Sequence, residues 1–181
     1  MSRTLKESLP SEWVKYVVVV ILSVALWVWV FGLYHKPKDT EKIELFFAGD
    51  VKDFAFEKDA ADAFDYLKRV EVSYENPSSS AAFEQKYSVV AFTLSDVVLV
   101  PESLADRKPC KGAFVPLSGI GEPYVQEEVA YGVYLSDSAK VRLSKYFVFT
   151  EERYVAFAPK ASVNAGKKTD HSIKFIEWLT R

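Results

Sequence analysis

The sequence predicts an N-terminal transmembrane helix followed by one open, mostly parallel α/β domain. Three observations indicate this fold class. An uncharged apolar run from Val17 to Leu33 is about as long as a helix that crosses the hydrocarbon core of a bilayer. Behind it, residues 43–100 alternate between short β-rich runs and amphipathic helical segments, as βαβ units do. The run Asp96–Val100 is almost wholly apolar, which is typical of a strand buried on both faces of a parallel sheet.

The apolar segment at residues 13–34 favours a retained membrane helix. Backbone polar groups inside a bilayer must be satisfied within the segment, so a lone span is helical. Aromatic side chains that suit the headgroup region lie near both ends: Trp13, Tyr16, Trp27, Trp29 and Tyr34. A cleaved signal peptide would need a shorter apolar core and a small-x-small cleavage site, whereas this run ends in WVWVFGLYHKP. A buried core helix would be shorter or carry a polar face.

Flanking charges do not decide the orientation, because three basic residues precede the uncharged run that begins at Val17 and three lysines follow it. Since short tails usually stay inside and long domains translocate regardless of charge, we expect the large domain outside the cytoplasm. The expected organisation is a cytoplasmic tail at 1–12, a single span at 13–34 in the cell membrane, a polar tether at 35–42 and an extracytoplasmic domain at 43–181.

Charge and cysteine content narrow the function. The chain has 23 basic and 25 acidic residues, and residues 1–38 hold five basic and two acidic ones, so the remainder has a net charge of −5. This argues against nucleic acid and anionic lipid as partners. The single Cys110 excludes an internal disulfide, which suits a bacterial cell surface. Nearby Lys108 and Lys111 would favour a reactive thiol, but with no histidine close by a plain loop cysteine is the better interpretation.

The predicted elements follow in order. The first half has strand Ile43–Ala48, a helix from Phe56 to Leu67, strand Val70–Tyr74, a helix from Phe83 to Leu94 and strand Asp96–Val100. The second half has proline-rich loops at 101–128, strand Val129–Leu135 with Gly132 marking a bulge or close approach, a short helix Ser136–Leu143, strands Tyr146–Phe149 and Tyr154–Phe157, a loop at 158–166 and a last helix capped by Thr169 or Asp170.

Two stretches of the outer domain resemble type 2 periplasmic (extracellular solute-binding) proteins. DVVLVPESLAD, from Asp96, resembles the third strand and ligand-facing turn of that family. The ending RYVAFAPKASVNAGKKTDHSIKFIEWL, from Arg153, resembles its late strand, Pro-x-x-Ser-x-Asn-x-Gly loop and helix. IELFFAGDVKDF would be the first strand and its binding turn. Such proteins have two lobes, whereas this chain has room for one, so the resemblance implies a single lobe without a closing clamshell.

Open α/β sheets bind ligands at the carboxyl ends of their strands, near the switch in strand order. The candidate ligand- or partner-binding residues are therefore those that follow the first three strands: Gly49, Asp50, Glu75, Asn76, Pro101, Glu102 and Ser103. The alternative is that these residues are simple turns and caps. Tyrosines of the second half would suit a protein interface, with burial as the equal alternative.

Signals of catalysis are poor, and we expect no enzyme, cofactor or metal site. His35 and His171 lie far apart in the sequence, which disfavours metal sites and triads. Ser103 lies outside a nucleophile elbow, and Ser118–Gly121 is a turn rather than a phosphate loop. Three aspartates at three-residue spacing, Asp59, Asp62 and Asp65, suit the wet face of a helix better than a metal cluster.

The function expected from these features is a membrane-anchored binding or assembly module that docks on another membrane or surface protein. The resemblance implies an ABC-type transporter as the partner system, with this chain as an accessory or recruiting subunit. The alternative is an extracytoplasmic sensor or low-affinity solute-binding protein, and an anchored enzyme is the least favoured class.

Overall fold

The computed structural model describes residues 5–78, 80–107 and 109–181, which divide into one unit that ends at Lys36 and a second unit, Pro37–Arg181. The first unit contains one helix, α1 (Leu5–His35). Its stretch Trp13–Gly32 has a mean hydropathy of 2.4, and none of it is buried. Twenty residues at about 1.5 Å each cover about 30 Å, so by length and composition this helix can cross a membrane.

The second unit is a mixed α/β fold. Its strands are β1 (Lys42–Ala48), β2 (Asp50–Val51), β3 (Arg69–Glu75), β4 (Val97–Pro101), β5 (Pro123–Gln126), β6 (Val129–Tyr134), β7 (Phe147–Val148) and β8 (Tyr154–Phe157). Its helices are α2 (Ala55–Asp62), α3 (Ser80–Lys86), α4 (Glu102–Ala105), α5 (Asp137–Leu143) and α6 (His171–Thr180), with a 3₁₀ turn at Asp39–Glu41 and a π-helix at Tyr87–Leu94.

Six strands form one sheet in the order β3-β1-β4-β8-β6-β5. β1 pairs in parallel with both β3 and β4, whereas the β4–β8, β8–β6 and β6–β5 pairs are antiparallel. β6 therefore runs in the same direction as β4, and four of the six strands point one way. This confirms an α/β fold with a mostly parallel sheet, and it places the switch in strand order between β1 and β4.

Helices cover both faces of the sheet, because successive residues of a strand point to opposite sides. Leu45 and Leu99 belong to a buried cluster with Phe56 of α2 and Phe175 of α6. The alternate positions form a second cluster, which includes Phe46, Val98, Phe83 and Tyr87. The first crossover thus lies on one face and the second on the other, as in a doubly wound sheet.

Both predicted crossover helices differ from the structure in their second half. α2 ends at Asp62, and Phe64 leaves the helix to pack against Phe175 and Trp178 of α6. The second helix widens into a π-helix after Lys86, and Ser95 N donates to Val90 O five residues back. The wider turn rotates Leu94 out of the predicted apolar face, leaving its side chain 59% exposed.

The hairpin of β5 and β6 was not predicted. Its two-residue turn consists of Glu127 and Glu128, whose φ values are +53° and +64°. Tight hairpin turns of this hand usually carry asparagine or glycine, so this turn lacks the usual sequence signal. β7 and β8 are consecutive strands but belong to different sheets. β7 pairs with β2, whereas β8 lies between β4 and β6.

Gly132 combines the two features expected of it. The β5–β6 register shifts beside it, between Tyr124 and Val125, and a Cβ at this glycine would lie 2.6 Å from Val155 Cγ1 and 2.7 Å from Phe157 Cε1. The absence of a side chain therefore lets β8 pack closely against β6.

Gly132→Ala should lower the free energy of unfolding by about 1–3 kcal/mol, because overpacking a buried contact forces its neighbours to move. Urea unfolding of the variant measures the loss. Val155→Ala removes the nearest clashing methyl, so the double variant should be more stable than the sum of the single losses predicts. Additive losses would contradict the steric explanation.

Candidate functional site

The carboxyl ends of the parallel strands bring four of the predicted site residues together. Ala48 of β1 is in register with Glu75 of β3, and Gly49 N donates to Glu75 O at 3.0 Å. One residue further on, Asn76 Nδ2 donates to Asp50 Oδ2 at 2.6 Å. Gly49, Asp50, Glu75 and Asn76 thus form one group, joined by backbone and side-chain hydrogen bonds.

The remaining predicted residues form a second group at the end of β4. Glu102 N donates to Arg153 O at 2.9 Å, and Ser103 N donates to Glu152 Oε2 at 3.2 Å. Pro101 is in register with Tyr154 at the start of β8. These contacts tie the end of β4 to its antiparallel neighbour.

Two further residues of the second group were not predicted. The hydroxyl of Tyr134, at the carboxyl end of β6, donates to Glu102 Oε1 at 2.5 Å. The guanidinium of Arg153 lies over the Tyr134 ring, 3.6 Å from its centroid, and pairs with Glu122 Oε2 at 2.6 Å. Burial, reinforced by Glu102, raises the pKa of Tyr134 to about 12. The position of Tyr134 at the end of a strand is visible in the sequence. Which edge of the sheet that strand end reaches depends on the direction of β6, and this is set by its pairing with β8.

A polar cleft adjoins the second group. Its volume is 590 Å³, within the range of small-molecule sites. Its charged lining residues are Glu122, Asp137, Lys140, Glu151, Glu152 and Arg153. The Lys140 ammonium donates to the carbonyls of Thr150 and Glu152 at 2.8 and 3.0 Å, so it fixes the loop before β8. The lining carries four carboxylates against two cations and is open to solvent.

Exposed apolar side chains surround the first group. Phe54 is 53% exposed, and its ring lies 6.0 Å from that of Tyr74, which is 37% exposed. Val148 is 41% exposed and pairs with Asp50 across the small sheet. The edge around Asp50 and Asn76 therefore combines apolar and polar surface, the composition of many protein interfaces.

At the opposite, amino end of the sheet lies a buried polar network. Asp96 accepts hydrogen bonds from Ser162 Oγ through Oδ1, from Asn164 Nδ2 through Oδ1 at 3.2 Å and from Glu44 N through Oδ2 at 3.0 Å. The side chains of Asp96, Ser162 and Asn164 are all buried. The Asp96 stretch and the Pro-x-x-Ser-x-Asn-x-Gly loop, which are distant in sequence, thus meet in one network.

The network also holds the segment that was expected to be a tether. Asn164 Nδ2 lies 2.9 Å from Asp39 O and 3.1 Å from Lys42 O. His171 Nδ1 bonds Thr40 O at 2.9 Å, and because a carbonyl only accepts, Nδ1 carries the proton. From Asp39 onward this segment is therefore part of the folded unit.

The geometry of this network favours a stabilising role over a catalytic one. Desolvation raises the pKa of Asp96, a perturbation often seen at active sites. However, the Ser162 hydroxyl is buried, and His171 bonds Thr40 rather than Ser162. Across the described part of the chain, no group of three or more His, Cys, Asp or Glu side chains could hold a metal ion.

The cysteine and the tyrosines of the second half are mostly interior. Cys110 is buried, and desolvation raises its pKa to about 11, which disfavours the reactive thiolate at neutral pH. Residues 101–181 contain five tyrosines, of which four are buried: Tyr124, Tyr131, Tyr146 and Tyr154. Tyr134 is partly buried and points its hydroxyl at Glu102.

No protein-family model matches this sequence, and no curated protein or solved structure is significantly similar to it.

The raised pKa of Asp96 predicts a pH dependence that Asp96→Asn should remove. The folded state holds the Asp96 proton more tightly than the unfolded state does, where its pKa is near 3.8. As pH rises above 3.8, this group therefore lowers the free energy of unfolding. We expect the free energy of unfolding of the wild type, relative to that of Asp96→Asn, to fall as pH rises. Urea unfolding of both proteins from pH 3.5 to 7 measures this difference. Other carboxylates titrate in both proteins and cancel. A difference that moves the opposite way would refute the assignment.

Proposed function

We propose that this protein is a membrane-anchored, extracytoplasmic binding or assembly module without enzymatic activity. The observation that carries the proposal is the edge at Asp50 and Asn76, where exposed Phe54, Tyr74 and Val148 flank a hydrogen-bonded polar pair. This edge belongs to the unit Pro37–Arg181, which follows a helix of membrane-spanning length in the chain. A partner in or at the same membrane is therefore within reach of the chain.

The shape and chemistry of this edge favour a macromolecular partner over a small molecule. Small-molecule sites bury most of their ligand in a concave pocket. Phe54, at the start of α2, and Tyr74, on the edge strand β3, are instead exposed, as anchor residues of protein interfaces are. The hydrogen bond between Asn76 and Asp50 holds both side chains in place, so the pair presents a fixed polar surface beside Phe54 and Tyr74.

The partner we propose is a subunit of an ABC-type transporter or of a similar membrane complex. The support is the resemblance of the Asp96 stretch and the Ser162–Asn164 loop to type 2 periplasmic binding proteins, whose partners are such transporters. Under this proposal the chain is one lobe of that fold and acts as an accessory or recruiting subunit at the cell membrane.

The cleft beside Arg153 favours a second function, extracytoplasmic ligand sensing or low-affinity solute binding. Its volume of 590 Å³ suits a small polar molecule, and Lys140 and Arg153 supply fixed cations among carboxylates. A ligand of this cleft should raise the melting temperature of the protein. Asp137→Lys should abolish that rise without affecting partner binding at Asp50.

The proposed anchor and topology are tested by fractionation and labelling. The full chain should remain in the membrane pellet after alkaline carbonate extraction, and its intact mass should include α1. In a Cys110→Ser, Lys160→Cys variant, a membrane-impermeant maleimide should label intact cells, because Lys160 is exposed on the folded unit. A soluble product lacking α1 would identify a cleaved signal sequence, and labelling only after lysis would reverse the topology.

The docking proposal predicts that a partner depends on the edge residues. Asp50→Lys combined with Phe54→Ser should reduce the crosslinked partner recovered from native membranes about tenfold, equivalent to about 1.4 kcal/mol. Glu84→Lys with Val89→Ser makes comparable changes at α3 and the π-helix, an acidic residue to lysine and an exposed apolar residue to serine, and should leave recovery unchanged. Absence of any stable partner of the wild type, or equal loss in both double variants, would refute the proposal.

A further inference from the structure

A second surface of the folded unit lies where α2, α5 and α6 meet. Two adjoining hollows of 360 and 190 Å³ share Arg142 and Trp178 as lining residues. We call them the aromatic groove, defined by Phe56, Phe64, Tyr66, Arg142, Lys174 and Trp178. The Trp178 ring packs against Phe64 and Phe56, with centroids 5.7 and 6.2 Å apart. The groove therefore has a rigid aromatic floor.

Arg142 is held in place above this floor. Its guanidinium lies 4.9 Å from the centroid of the Trp178 ring. Its Nη2 donates to Trp178 O at 2.8 Å and to Leu179 O at 3.1 Å. A guanidinium has five N–H donors, and within the described residues those of the other two nitrogens have no protein partner. Arg142 thus presents an ordered cation with donors still available.

Tyr66 adds a fixed aromatic ring to the larger hollow. Its hydroxyl oxygen is buried and has no hydrogen-bond partner among the residues described. The ring is fixed by stacking on His171, with centroids 3.9 Å apart, and it lines the larger hollow. Native proteins seldom leave a buried hydroxyl unpaired. The ring of Tyr66, rather than its buried hydroxyl, is therefore what the hollow presents to an occupant.

The charges around the groove favour an acidic occupant. Its lining includes four cations, Arg142, Lys145, Lys174 and Arg181, against two carboxylates, Asp59 and Glu177. Residues 39–181 as a whole are acidic, with 23 acidic residues against 18 basic ones. The groove is thus a basic, aromatic site on an acidic unit, complementary to apolar side chains accompanied by carboxylates.

We propose that the aromatic groove binds a segment of a partner protein in which an apolar side chain is flanked by carboxylates. The apolar side chain fills a hollow over Trp178, and a carboxylate meets Arg142. This surface is distinct from the edge at Asp50, so it adds a second contact to the proposed assembly function and does not depend on it.

A bilayer surface fits the groove less well than a peptide. Lys174 pairs with Asp170 at 3.3 Å, Lys145 pairs with Asp59 at 3.7 Å, and Arg181 pairs with Glu177, so among the described lining residues Arg142 is the cation without a carboxylate partner. One such cation suits a single carboxylate better than it suits a charged lipid surface, which attracts clusters of cations. The hollows are also concave, which suits the insertion of single side chains from a folded or extended segment.

The test uses the full chain in nanodiscs of neutral lipid and a fluorescein-labelled peptide with the sequence Glu-Glu-Leu-Trp-Glu-Glu. Fluorescence anisotropy should show saturable binding, which a peptide with lysines in place of the glutamates should lack. Lys174→Glu with Arg181→Glu should weaken binding about tenfold. The matched control is Lys86→Glu with Lys111→Glu, which reverses two exposed, paired lysines elsewhere on the unit and should change binding by less than about twofold.

Several outcomes would overturn the proposal. One is equal binding of the acidic and basic peptides, and another is equal weakening of binding in both double variants. A third is self-association of the protein that Lys174→Glu with Arg181→Glu abolishes, because a second copy of the chain would then be the occupant. Quenching of Trp178 by brominated anionic lipid, in a variant with Trp13, Trp27 and Trp29 replaced by Phe, would make the membrane the occupant. Asp50→Lys with Phe54→Ser should leave peptide binding intact, so failure at one surface is distinguishable from failure at the other.

Discussion

The fold of the second unit depends on the buried carboxylate of Asp96. It accepts hydrogen bonds from the backbone of β1 and from Ser162 and Asn164, which follow β8 by several residues. Asn164 in turn bonds the carbonyls of Asp39 and Lys42 at the entrance to the unit. A buried charge is costly unless it is paired or hydrogen-bonded, so these partners are needed as a set. One side chain thereby connects the beginning, the middle and the end of the unit.

This arrangement separates the two ends of the sheet by role. The amino end holds the entering chain, because Asn164 and His171 fix residues 39–42 there. The carboxyl end carries Asp50, Asn76, Glu102 and Tyr134 on short connections that the core positions but does not cover. A strand of seven residues at about 3.3 Å each separates these ends by about 20 Å. Polar groups offered to a partner are therefore remote from the groups that stabilise the unit.

The proposed role as a binding module fits the state of the titratable groups. Burial raises the pKa of Cys110, Tyr134 and Asp96, so each favours its neutral form more than it would in water. Each also has a neighbour that explains its position: Gln126 Oε1 accepts from Cys110 N, Tyr134 donates to Glu102, and Ser162 donates to Asp96. These interactions hold backbone and side chains in place. The exposed aromatic and charged surfaces at Phe54 and at Trp178 are where the unit can add contacts.

The apolar helix, the β-α-β-α-β order of residues 43–100 and the placement of Gly49, Asp50, Glu75 and Asn76 at one edge of the sheet could be predicted from the sequence. Hydrophobic periodicity and strand ends are local properties, and parallel pairing brings the carboxyl ends of neighbouring strands to one edge. Tertiary structure alone decided that β8 enters the sheet antiparallel beside β4, that β6 therefore ends beside Glu102, and that Ser162 and Asn164 reach Asp96. It also decided that Phe64 leaves α2 and that Leu94 turns outward on the π-helix. The physical reason is that strand direction, hydrogen-bond partners and winding are selected by contacts between residues far apart in the chain, which no local pattern contains.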